Sequence, residues 1–200
     1  MTDSSRTSRS TRVACVFVLS SFTWACGVGS RPAPAAACDP GCQDQVALRG
    51  LRTLLKFSYN LTVQGQPVGA QDESRDCLPS AGSTGNVRVF GEASSNAAQG
   101  STFVNLNFDF QSCSYPAAPD PTADQNFDIT LDGLITEQGT LAVQPSSTTA
   151  LLLHSDAVSI TGTVYDPPVP YTVSDCVLDL NQDGNQLSGT LCGRAVGFSF

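Results

Sequence analysis

From residue 54 onward, apolar and polar side chains alternate with a period of two. Leu55, Phe57, Tyr59, Leu61 and Val63 interleave with Lys56, Ser58, Asn60, Thr62 and Gln64. Val104, Leu106, Phe108 and Phe110 interleave with Asn105, Asn107, Asp109 and Gln111. Phe127, Ile129, Leu131 and Ile135 continue the pattern, as do Val158, Ile160 and Val164, and Val196, Phe198 and Phe200 close the chain. Successive side chains of a strand point to opposite faces, so the pattern predicts strands with one apolar and one wet face, as in antiparallel sheet. The expected fold is all-β: a single antiparallel domain of about eight to ten strands, arranged as a barrel, a sandwich or a strongly curved open sheet. At most one short N-terminal helix is expected, from Asp44 to about Thr53, with Leu48, Leu51 and Leu54 at helical spacing and Asp44 as N-cap. Its alternative is an extension of the first strand. Residues 72–85 and 114–125, rich in Pro, Ser, Asp and Gly, are expected to be surface loops, with a shorter interruption at 166–170.

The turn chemistry of Asp183-Gly184-Asn185 predicts a hairpin that sets Leu178 and Leu180 against Leu187 and Leu191. A hairpin centred on Gly184 brings Cys176 opposite Cys192, close enough for a disulfide. Cys38, Cys42, Cys77 and Cys113 complete a set of six, their pairing left open. Cys38 and Cys42 are spaced C-x3-C rather than C-x-x-C, and His154 is the sole histidine, which favours structural disulfides over a redox or zinc site. Structural disulfides imply an oxidising, exported location.

The N-terminus agrees with export. Arg6, Arg9 and Arg12 precede an apolar run from Val13 to Ala25, which is too short to span a bilayer and has the length of a signal-peptide core. The end of the run, Phe22-Thr23-Trp24-Ala25-Cys26-Gly27, resembles a bacterial lipoprotein lipobox, although Thr23 and Trp24 depart from the usual pattern. The resemblance implies cleavage after Ala25 and a diacylglycerol on Cys26; ordinary cleavage, after Ala25 or within Ala35-Ala36-Ala37, is the alternative. Gly27 to Ala37 is small, Pro-bearing and aperiodic, as a tether should be. The expected organisation is a signal peptide over 1–25, a flexible tether over 26–43 and a disulfide-stapled β-domain over 44–200. The whole resembles the small exported Cys-bearing β-rich lipoproteins of unknown function found in Gram-negative bacteria such as the myxobacteria. That resemblance is architectural and brings no activity with it. Gly27, where an acidic residue could follow the cysteine, resembles lipoproteins sent to the outer membrane, which implies attachment there or at the cell surface.

Charge narrows the partners. Setting aside the leader removes three arginines and Asp3, leaving seven basic and 17 acidic residues. The basic residues are scattered, so neither nucleic acid nor an anionic lipid surface is an expected partner. Candidate chemistry is sparse. Asp179, Asn181, Asp183 and Asn185, with Gly184, match the first half of a calcium loop, but Thr190 stands where a bidentate Glu belongs and a hairpin turn explains the same residues. No cofactor is otherwise expected. His154-Ser155-Asp156 is not a ready triad, because neighbours in a strand face opposite ways. No catalytic residue is assigned. The leading expectation is a non-enzymatic envelope lipoprotein with a binding or structural β-domain. A lipocalin-like carrier of a small apolar ligand and a secreted hydrolase are the alternatives, and no protein or glycan partner is specified.

Overall fold

The computed structural model describes residues 38–77, 84–96, 98, 100–116, 126–142, 148–165 and 167–199. The signal-peptide segment, Cys26 and most of the tether therefore lie outside the described residues, as do Phe200 and the central parts of two of the expected loops. Among the described residues there is one helix, α1 (Pro40–Thr62), followed by eight strands: β1 (Gly69–Asp76), β2 (Asn86–Asn96), β3 (Ser101–Pro116), β4 (Phe127–Ala142), β5 (Ala150–Val164), β6 (Val169–Asp183), β7 (Gln186–Leu191) and β8 (Arg194–Ser199). Each strand pairs antiparallel with the next, in the order β1 through β8. The result is one all-β meander, a curved open sheet rather than a closed barrel or a sandwich. Among the described residues no helix is long and apolar enough to cross a membrane.

The expectation of a first strand over residues 55–63 is corrected: those residues form the second half of α1 and its C-cap. Nothing between Leu51 and Gln64 breaks a helix, and the chain turns only at Gly65, whose φ of 84° an L side chain rarely adopts. Leu48, Leu51, Leu55, Ser58 and Thr62 recur every three or four residues and are buried. The helix also begins earlier than expected. Asp39, not Asp44, is the N-cap, accepting a hydrogen bond from the Cys42 amide at 2.8 Å, and Pro40 opens the first turn. Cys38 and Cys42 are bridged across that turn, so residues 38–43 belong to the folded domain rather than to the tether. Of the expected loop at 72–85, residues 72–76 lie in β1, and residues 114–116 of the second continue β3.

The sheet curls around α1, which packs against β1 through β5 and against β8. Leu48, Leu51 and Leu54 of the helix, with Leu106, Phe108, Ile129, Leu131, Ile135, Ile160 and Leu178 of the sheet, are almost completely buried. Each such side chain stabilises the fold by roughly 1.5–3 kcal/mol. At Gly50 the helix passes so close to β4 that a Cβ would stand 2.6 Å from Cδ1 of Ile129.

The curvature has a local cause. Register breaks fall between Phe110 and Cys113 in β3, Asp132 and Thr136 in β4, and Ser155 and Ile160 in β5, where the β5–β6 ladder also shifts. Because these strands are neighbours, the bulges line up as a crease across the sheet, the geometry that bends and twists strands. Ser112 and Asp175 adopt positive φ there. Side chains hold the crease: the Ser112 amide donates to Asp132 at 2.6 Å and the Asp175 amide donates to Ser159 at 3.0 Å.

Between β6 and β7 the sheet is so tight that a Cβ on Gly189, at φ 149°, would stand 2.0 Å from the Asp179 carbonyl oxygen. Gly189→Ala is therefore expected to cost about 3 kcal/mol by forcing the backbone apart. Gly197→Ala, whose nearest neighbour would be 3.7 Å away, should stay within about 0.5 kcal/mol of the parent. Urea unfolding of the two variants checks the contrast.

Candidate functional site

A pocket of about 400 Å3 opens between the second half of α1 and the inner faces of β4, β5 and β6. Its apolar wall is Leu55 of the helix with Leu141, Leu151 and Leu153 of the sheet. Its polar groups include Arg52, Lys56, Tyr59 and Asn60 from α1, Glu137 from β4, Thr149 just before β5 and Gln182 from β6. At this size it falls in the lower part of the range of ligand pockets, roughly 300–1,000 Å3.

Glu137 is the exceptional member. Along β4 the inward positions are Ile129, Leu131, Ile135 and then Glu137, so an acid occupies a place where period two calls for an apolar residue. It is only 5% exposed. Burial pushes its pKa up to about 7, and the Arg52 guanidinium opposes that rise; no hydrogen bond to the carboxyl contributes. A carboxyl so placed titrates near neutrality, which is the condition for a proton-dependent site.

The surrounding groups are held in position. Arg52 Nε donates to Gln182 Oε1 at 3.1 Å, and Gln182 Nε2 donates to the Gly184 carbonyl at 2.8 Å. The helix residue is thereby tied to the β6–β7 turn. Burial lowers the Arg52 pKa from the usual guanidinium value. Burial also raises the Tyr59 pKa, with a hydrogen bond between its side chain and Thr102 acting the other way.

The sites suggested by the sequence lie elsewhere. His154 is on the outer face of β5, half exposed and opposite Asp179 of β6. Its Nδ1 is 2.6 Å from Asp179 Oδ1 and its Nε2 is 3.3 Å from Asp156 Oδ1, contacts that raise its pKa, the Asp179 bond most. Ser155 points the opposite way and is buried, its hydroxyl without a partner. The serine and histidine are thus separated by the sheet. Asp179 and Asn181 are exposed strand residues and Asp183 ends β6, with Gly184-Asn185 forming the turn. A strand sets alternate side chains roughly 7 Å apart in a row, rather than folding them round a centre. The described residues include no group of three or more His, Cys, Asp or Glu side chains able to hold a metal.

Cys176 and Cys192 are bridged, with Cα atoms 4.9 Å apart, and Cys77 is bridged to Cys113 at 5.6 Å. With Cys38–Cys42 this makes three disulfides among the described residues, which suits an oxidising, extracellular environment.

Sequence reasoning missed Glu137, Arg52, Tyr59 and Gln182. The one signal that could have found them was Glu137 itself, two places beyond Ile135 on the inward face. No family model, no curated protein and no solved structure matches this chain.

Proposed function

We propose that this chain is a non-enzymatic, exported binding protein, held at the cell envelope by a lipid on Cys26, whose β-domain takes up one small amphiphilic molecule beside α1. The observation that carries the reading is Glu137: a buried carboxyl with no hydrogen bond among the described residues, on the wall of a 400 Å3 pocket. Burying such a group without a hydrogen bond costs free energy that the Arg52 charge offsets only in part. A ligand that hydrogen-bonds to it offsets that cost in the bound state. The other polar groups favour an amphiphile over a wholly apolar cargo, because Arg52, Lys56 and Gln182 share the pocket with the four leucines. A lipocalin-like central cavity is not needed, since α1 itself fills the hollow of the sheet.

Native and intact-mass spectrometry of the protein from its own host tests both halves of the proposal. A mature chain beginning at lipidated Cys26 and carrying a small molecule is the expected result. Ala142→Trp, which places an indole on the pocket wall where the parent residue is partly exposed, should lose the molecule while keeping its strand-type circular dichroism. A chain that is ligand-free in both forms overturns the binding role. A mature terminus elsewhere overturns the anchor.

A further inference from the structure

We infer that the head group recognised in this pocket is a single carboxylate, bound by protonated Glu137 together with the positive charges of Arg52 and Lys56. The inference deepens the binding role proposed above and rests on it. The Arg52 guanidinium acts on Glu137. Among the described lining residues, α1 contributes Arg52, Lys56 and Tyr59, β6 contributes Gln182, and β5 contributes Leu151 and Leu153, with Thr149 just before it. Among the described lining residues Glu137 is the one acid, beside the cations Arg52 and Lys56, although the chain as a whole carries a net charge of −8. An ammonium head group would have to settle between two like charges. An anion is drawn in.

A carboxylate arriving beside an ionised Glu137 would be repelled, since two carboxylates in one site cannot both stay charged. One shared proton removes the repulsion. Protonated Glu137 then donates an O–H···O⁻ hydrogen bond, the short, charge-assisted kind, and its buried carboxyl gains a partner. Arg52 and Lys56 neutralise the remaining charge. The leucine wall accommodates an alkyl chain. The burial that holds Glu137 near half-protonated at neutral pH places the switch in the working range. Below that point the pocket is ready for an anion. Above it, each further pH unit lowers the fraction of competent protein about tenfold, so a bound carboxylate is released as the pH rises.

The test uses three eight-carbon probes that differ only in head group: octanoate, octanol and octylammonium. Their binding to the full domain is measured by calorimetry from pH 5 to pH 9. Octanoate should bind with constant affinity below about pH 7 and weaken about tenfold per unit above it. Glu137→Gln, which fixes the site in its donor form, should hold octanoate with little pH dependence. Octanol and octylammonium should bind at least about tenfold more weakly, the loss expected for one charge-assisted hydrogen bond. Octylammonium binding that strengthens with pH and vanishes in Glu137→Gln would make this a cation site, overturning the inference while leaving the binding role intact. Octanoate binding that ignores both pH and the substitution would overturn it equally. Failure of all three probes, in a protein from which Ala142→Trp removes nothing, overturns the binding role itself.

Discussion

Glu137→Gln is expected to stabilise the ligand-free domain by about 3 kcal/mol at pH 8 and to leave it nearly unchanged at pH 4. The size follows from the distance between the ordinary glutamate value, 4.5, and the value near 7 to which burial raises Glu137 in the fold. Between those values the native state holds a proton that the unfolded chain has given up. Native protein binds more protons than unfolded protein there, so stability falls as the pH rises through that window. Below it both states are protonated and the carboxyl behaves as a neutral amide would. Above it the folded domain carries a buried charge without a hydrogen bond, and the full cost is present. Glutamine has the shape of the protonated acid and never ionises. Urea unfolding of parent and variant from pH 4 to pH 8 reads the effect, because every other titrating group cancels in the difference. Curves that stay parallel across the range would mean that Glu137 is not desolvated. Stability lost to a functional group in this way is the usual trade between a site and its scaffold.

The strands that build the pocket wall were legible in the alternation, and so in principle was Glu137. Counting inward positions along Ile129, Leu131 and Ile135 reaches it next, and an acid on an apolar face is the informative exception. The helix that supplies the other wall was not legible, for a physical reason. Residues 54–63 satisfy two periods at once: Leu55, Phe57, Tyr59, Leu61 and Val63 for a strand, and Leu51, Leu55, Ser58 and Thr62 for a helix. Tertiary packing decided between them. In the helix Phe57 and Leu61 are left 38% and 41% exposed, while Ser58 and Thr62 are buried, with the Thr62 hydroxyl donating to the Ser58 carbonyl. Arg52, Lys56 and Tyr59 could not be grouped with Glu137 until that choice was known.

Disulfide geometry shows how far local arithmetic reaches. The hairpin was expected to centre on Gly184, but Asp183 pairs with Gln186 around a two-residue Gly184-Asn185 turn, so the register is offset by one. Cys176 meets Cys192 nevertheless, because Cys192 has left the ladder for the β7–β8 turn at positive φ and β6 bends at Asp175. The Cys77–Cys113 bridge had no comparable signal, since it joins the end of β1 to a bulge in β3 across an intervening strand. Bulges depend on non-local pairing, and so does the crease that curls the sheet around α1.

Arg194→Ala is expected to cost about 2–3 kcal/mol, a large share of the roughly 5–15 kcal/mol by which a domain of this size is stable. Asp44, which local spacing made a candidate cap, is instead the fifth residue of α1 and only 3% exposed. Its carboxylate accepts from Arg194 Nε and Nη2, both at 2.8 Å, and from the Tyr171 hydroxyl at 2.7 Å. These bonds fasten the start of the helix to β6 and to the edge strand β8. They also raise the Arg194 pKa, and the Tyr171 pKa rises through burial and the same carboxylate. Removing the guanidinium strands a buried anion with one remaining side-chain donor, which is costlier than the bonds themselves are favourable. The guanidinium is half exposed, so water restores part of the loss and the expected figure lies below that of a fully buried pair. Tyr171→Phe, which leaves the bidentate pair in place, should cost about 1.5 kcal/mol. The decisive variant is the double replacement Asp44→Leu with Arg194→Ala, set beside the two single replacements. With no charge left to strand, it should recover most of the loss seen in Arg194→Ala, and urea unfolding would then report a coupling of about 2 kcal/mol in the double-mutant cycle. Simple additivity of the two single losses would show instead that Asp44 is solvated in solution and that α1 is held against β8 by packing alone.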